Sequence, residues 1–137
     1  MSAWKRIALE TLPEYRQLID EAENPMALWI ELHSKLQDVY QAEIRDDGLI
    51  RRFFEYARWC LKSPGDGQYL SDAGTAAAHA FYEHLPTHEA IRRDLPRWIT
   101  REEFIGLRDS FRYLLSNDEF TVFETEFLGT GKNNRRK

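Results

Sequence analysis

Apolar positions recur at helical spacing along nearly the whole chain. Trp4, Ile7, Ala8, Leu12, Tyr15, Leu18, Ile19 and Ala22 form the first stripe, three and four residues apart as one helix face requires. Pro13 interrupts it without shifting its phase, so either a helix begins there, where proline suits the first turn, or one helix bends. Asn24-Pro25 reads as an N-cap followed by proline at the first helical position. The helix it opens buries Leu28, Trp29, Leu32, Leu36, Val39 and Tyr40, with Glu31 and Lys35 on its flank at i,i+4. Asp46-Asp47-Gly48 closes that helix and caps the next. There Leu49, Ile50, Phe53, Phe54, Ala57, Cys60 and Leu61 oppose Arg51, Arg52, Glu55, Arg58 and Lys62, and Tyr56 and Trp59 widen the apolar face. This is the cleanest amphipathic pattern in the chain, and it predicts a central helix.

Ser63-Pro64-Gly65-Asp66-Gly67 is the strongest turn signal. A fourth helix starts near Ser71-Asp72 and runs through Ala73, Ala76, Ala77, Ala78, Ala80 and Phe81 to Leu85, its small residues allowing a neighbour to approach closely. Pro86-Thr87 stops it, and a short turn through Ala90 and Ile91 follows. Leu95-Pro96-Arg97-Trp98-Ile99 reads as an extended connector, because a residue before proline avoids the helical region. Thr100 to Glu103 is a capping box opening a helix that carries Phe104, Leu107, Phe111 and Leu114. Ser116 to Glu119 is a second box, leading into Phe120, Phe123 and Phe127. Gly129 ends the order.

No segment alternates over strand length with β-branched enrichment, and no repeat of 20–50 residues emerges. The expected fold is therefore all-α, a compact bundle-like domain of five to seven helices with short connections. Its length of 137 residues fits one domain. That domain is expected over residues 1–128, with a flexible basic tail over 129–137. A composition of 42% hydrophobic and 31% charged residues is globular.

Charge changes the picture of partners. Of the 19 basic residues four stand in the tail, which has no acidic ones, so the body has 15 basic against 23 acidic side chains, a balance of −8. Such a body repels nucleic acid and anionic membrane and attracts a basic protein partner. The tail, with Lys132, Arg135, Arg136 and Lys137 and no aromatic to stack on a base, makes nucleic-acid binding an unfavoured reading. No apolar stretch approaches the ~20 residues of a membrane span and no signal-peptide core is present, so a cytoplasmic location and no membrane partner are expected.

Candidate chemistry centres on His79, Glu83, His84, His88 and Glu89, five metal-competent side chains within eleven residues. On a helix His79 and Glu83 share a face, but His84 lies about 140° around from His79 at ~100° per residue. Pro86 breaks the helix that would align His84 with His88. The spacing of a zinc-protease helix is absent. The reading taken is a half-buried His84 with His79 and His88 exposed; a metal-binding or hydrolytic domain centred on Glu83, His84 and His88 is the alternative. Cys60 lies on the apolar face near a helix end, far from anything that would lower its pKa, and reads as inert. Gly65-Asp66-Gly67 with Asp72 lacks the twelfth-position glutamate of a calcium loop, and Gly129 to Asn133 lacks the glycine spacing of a phosphate loop. The paired carboxylates all fall at helix starts and read as caps. Trp98 is read as a lid over the core, with an exposed anchor for a partner as its alternative. No coherent catalytic set emerges and no cofactor is expected; whether the chain is an enzyme stays open.

Tyr56 to Leu61 (Tyr-Ala-Arg-Trp-Cys-Leu), Ala80 to Leu85 (Ala-Phe-Tyr-Glu-His-Leu), Leu95 to Trp98 (Leu-Pro-Arg-Trp) and the segment Phe104–Phe127 resemble an uncharacterised group of small bacterial all-helical proteins, over residues 28–127. The resemblance implies a helical fold and a bacterial origin, and it carries over no functional residue. In size and acidity the chain is also similar to immunity proteins that neutralise secreted toxins. The functional expectation is a non-catalytic, protein-binding domain acting through an acidic surface.

Overall fold

The computed structural model describes residues 1–65 and 68–136, and their side chains through 129. Among the described residues it is all-helical, with nine α-helices rather than the expected five to seven. The chain packs as two compact units, Met1–Phe81 and Tyr82–Lys137.

In the first unit, α1 (Ala3–Thr11) ends before Pro13, which opens a 3-10 turn (Pro13–Tyr15) leading into α2 (Arg16–Glu21). Pro13 thus starts a new element and does not bend a continuous helix. α3 (Pro25–Gln41) is capped as its sequence requires: Asn24 Oδ1 accepts from the Ala27 amide at 2.8 Å, with Pro25 at the first position. α4 (Asp47–Lys62) begins where Asp46 Oδ1 accepts from the Leu49 amide at 3.0 Å. Asp72 caps α5 (Ala73–Ala77) by accepting from the amides of Gly74 and Thr75.

The core of this unit lies where α3, α4 and α5 meet, with α1 against α4. Trp29, Phe53, Phe54, Tyr56 and Phe81 are buried there, and full burial of each such ring stabilises by about 1.5–3 kcal/mol. The small residues of α5 do what their size allows. A Cβ at Gly74 would stand 3.1 Å from the Cys60 carbonyl oxygen, so α5 meets α4 where a side chain would be crowded. After α5 the helix widens into a π-helical turn (Ala78–Tyr82), so the expected α-helix through Leu85 stops early. Ala80, Phe81, Tyr82 and Glu83 are all buried in succession, which a 3.6-residue winding with a single buried face does not allow.

The second unit holds a 3-10 turn (Leu85–Thr87), α6 (Glu89–Asp94), a 3-10 turn (Leu95–Arg97), α7 (Arg101–Gly106), α8 (Arg108–Arg112) and α9 (Asn117–Arg136). The expected extended connector at 95–99 is instead helical, with Leu95 at φ −54°, ψ −37°. Leu95 is fully buried and Trp98 Nε1 donates to Asp94 Oδ2 at 2.8 Å, and these tertiary ties outweigh the pre-proline bias. The single helix expected from Phe104 to Leu114 breaks at Leu107 (φ −101°, ψ 8°), next to Gly106, a weak helix former. Both capping boxes form: Thr100 with Glu103, and Ser116 with Glu119, each pair closing reciprocal bonds of 2.8 and 3.1 Å. The backbone of α9 continues past Gly129 to Arg136, so helical order does not end at that glycine. The side chains of the basic tail, and the centre of the expected 63–67 turn at residues 66 and 67, lie outside the described residues. Among the described residues no helix is long and apolar enough to cross a membrane.

Candidate functional site

Of the residues singled out in the sequence, Glu83, His84, His88 and Trp98 fall in the second unit, and Cys60 and His79 in the first. Glu83 follows the π-helical turn and is buried, 6% exposed. His84 comes next, and its carbonyl accepts from the Thr87 amide at 3.1 Å and the Thr87 hydroxyl at 2.7 Å, which folds the chain over Pro86. His88 then stands at the start of α6, its carbonyl accepting from the Arg92 amide at 2.8 Å. His79 and His88 are half-buried, not exposed as expected, and His84 is half-buried too. The turn through Pro86 brings His88 back towards its own unit, and His79 lies 5.6 Å from the Tyr69 ring.

Burial, and then the charge of nearby His84, hold the His88 imidazole below the usual histidine range. Among the described residues no three His, Cys, Asp or Glu side chains converge as metal ligands would. The lowered His88 value has a sign for stability. A histidine whose folded value lies below its unfolded one, near 6.5, supports the fold above that pH and opposes it as pH falls through 6.5. The urea midpoint of the wild type is expected to drop between pH 7 and pH 5, and to drop less in His88→Gln. Nuclear magnetic resonance titration should place His88 below 6.5; an equal drop in both proteins would contradict the assignment.

Trp98 is 9% exposed. Its indole N–H is held by Asp94, whose other oxygen meets Arg97 at 3.2 Å, and the Arg97 guanidinium lies 4.7 Å from the Trp98 ring. This closed triad fits a lid fixed over the core of its own unit. Cys60 is fully buried in the first unit, and burial pushes its thiol up to about 12. A thiol so rarely ionised is a poor nucleophile.

The first unit offers a surface feature that the whole-chain charge concealed. Residues 1–81 carry thirteen acidic against nine basic side chains, whereas residues 82–137 carry ten of each. Within residues 10–31 six acidic side chains face one basic, Arg16, whose guanidinium lies 3.9 Å from Asp20. A groove of about 580 Å³ runs over this stretch, with Tyr15, Leu18, Ala22 and Ala27 among its apolar lining and Glu14, Glu21, Glu23 and Glu31 along it. Glu14 is spoken for: both its oxygens accept from Arg52, which also donates to the Thr11 carbonyl at 3.2 Å. That Arg52 bond holds the Glu14 carboxyl below the usual carboxylate range. Glu21 accepts from Gln17 at 3.1 Å, a neutral partner that leaves its charge in place. Lys35 is the only cation among the groove's described lining residues. The charge run at 10–31 was visible in the sequence; only the fold of α2 against α3 makes it a groove.

No protein-family model, curated protein or solved structure matches this chain. The resemblance to small bacterial helical proteins therefore rests on the short stretches quoted for it.

Proposed function

We propose that this chain is a non-catalytic domain that binds a basic protein through the acidic face of its first unit. The observation that carries the reading is the groove between α2 and α3, where Glu21, Glu23 and Glu31 stand beside Tyr15, Leu18, Ala22 and Ala27. A partner segment with lysine or arginine beside apolar side chains would find both its needs met there. An immunity-type inhibitor of a basic toxin is the narrower form of the same reading.

The test is a charge reversal at the surface. Glu21→Lys, Glu23→Lys and Glu31→Lys together should leave the circular dichroism unchanged, because Glu21, Glu23 and Glu31 are exposed. Association with a lysine-rich probe peptide carrying interspersed leucines should slow by about tenfold or more at low ionic strength. The difference should shrink in ~1 M salt, where the screening length falls to ~3 Å. Equal association rates for wild type and variant at low salt would remove the groove from the reading.

A further inference from the structure

A second groove on the first unit, of about 520 Å³, is walled by Trp4 of α1 and Trp59 of α4 and lined further by Pro64 and Asp72. The Trp59 indole is firmly placed. The Trp59 ring lies nearly parallel to Tyr56 at 6.2 Å and 8°. Tyr56 in turn stacks on fully buried Trp29 at 5.2 Å and 18°. Trp59 is therefore the half-exposed end of a three-ring column rooted in the core. The Tyr56 hydroxyl donates to the Trp4 backbone carbonyl at 2.9 Å, so the same tyrosine ties the chain at Trp4 to this column. Asp72 is fixed as well, its Oδ1 accepting from the Gly74 and Thr75 amides at 2.9 and 3.2 Å.

The charge lining this groove is negative. Indole faces are negative, and Asp72 is the only charged residue among its described lining residues. The surrounding unit has the acidic excess noted above. One cation already responds: Lys5 holds its ammonium 5.5 Å from the Trp4 ring while donating to the Asp20 carbonyl at 2.9 Å. Of the two basic side chains, arginine suits such a place better. Its guanidinium is flat, weakly hydrated, stacks on aromatic faces and pairs with carboxylate.

We propose that this groove anchors an arginine side chain of the protein partner, with the guanidinium stacked on Trp59 and paired with Asp72. The inference rests on the reading that the partner is basic, but it uses none of the residues of the acidic groove. A wall rooted in the core, as Trp59 is, reduces the ordering cost of binding, which is what lets one side chain act as an anchor.

The experiment titrates a blocked glycine–arginine–glycine peptide into the full chain and follows the indole N–H resonances. Trp4 and Trp59 should shift, while Trp29 and Trp98 should not. The same peptide with citrulline, the neutral isostere of arginine, should bind about tenfold more weakly. Asp72→Asn, which keeps a good cap for α5 while removing the charge, should weaken arginine binding with the fold intact, and Trp59→Leu should abolish it. Equal binding of the arginine and citrulline peptides, or shifts absent from Trp4 and Trp59, overturns the proposal. The Glu21, Glu23, Glu31 reversal separates the two readings. If it abolishes capture of the lysine-rich probe while Trp59→Leu leaves arginine binding unchanged, the acidic groove stands and the arginine anchor falls. If Trp59→Leu abolishes arginine binding while the reversal changes no association rate, the anchor stands and the acidic groove falls.

Discussion

Trp29→Ala is expected to cost the first unit about 3–5 kcal/mol, the range for truncating a large aromatic in a packed core. Trp29 is fully buried on α3, with Tyr56 at 5.2 Å and Phe81 at 4.6 Å from its ring. Those partners come from α4 and from the π-helical turn, so the indole fills the space where three elements meet. Its removal leaves a cavity that Tyr56 cannot collapse into, because the Tyr56 hydroxyl is tied to the Trp4 carbonyl. Domains are stable by only about 5–15 kcal/mol, so the loss is a large share of the total. Urea unfolding followed by circular dichroism gives the number, and hydrogen exchange across residues 3–62 locates it. Trp29→Phe should recover more than half of the loss. A cost below ~1 kcal/mol for the alanine variant would mean that the stacked column is not the centre of this unit.

What could be read in the sequence was local chemistry. Asn24, Asp46, Thr100 with Glu103, and Ser116 with Glu119 cap helices where their spacing says they should. An N-cap bond spans two or three residues and needs no tertiary partner, which is why it shows in one dimension. The stripes of α3 and α4 were legible for a related reason, since burial follows helical period. His33 illustrates the limit. It is 7% exposed, with Gln37 Nε2 2.9 Å from its Nε2, and it lies four residues from Trp29 on the face that Leu32 and Leu36 bury. Its polarity hid a position that period alone placed inside. The turn at Leu95 and the π-helical winding at 78–82 were not legible: the first goes with burial of Leu95 and the Trp98 bond to Asp94, the second with burial of Ala80, Phe81 and Tyr82 in succession.

The same separation holds for the candidate sites. The histidines drew attention because metal-competent side chains were close together in sequence, yet proximity along the chain does not aim donors at one point. The acidic groove was half legible: the charge run at 10–31 is in the sequence, but a balance taken over the whole chain averages it against an evenly charged second half. Trp4 and Trp59 stand 55 positions apart. Only the Tyr56 bond to Trp4 and the Tyr56 stack on Trp59 show that they share a wall.

Phe104→Ala is the matching expectation for the second unit, again about 3–5 kcal/mol. Phe104 is fully buried on α7 and meets four other phenylalanine rings: Phe111 of α8 at 5.4 Å, and Phe120, Phe123 and Phe127 of α9 at 6.5, 5.3 and 4.4 Å. Aromatic pairs in such arrangements contribute about 0.5–1.5 kcal/mol beyond the area they bury, and one truncation removes all four. Two of the three helices that supply these rings are short. α7 and α8 span Arg101–Gly106 and Arg108–Arg112, too few residues to be stable without packing. Loss of the central ring should therefore unfold α7 and α8 before the rest of their unit, seen as early loss of amide protection over 101–112. The cavity left behind would be lined by phenylalanine and so dry, and dry apolar cavities of this size bind benzene. Benzene should then raise the melting temperature of Phe104→Ala and leave the wild type unchanged. A variant that loses its stability but gains nothing from benzene would have lost the cluster by rearrangement, and Phe104 would be one ring among several, without the central place assigned to it.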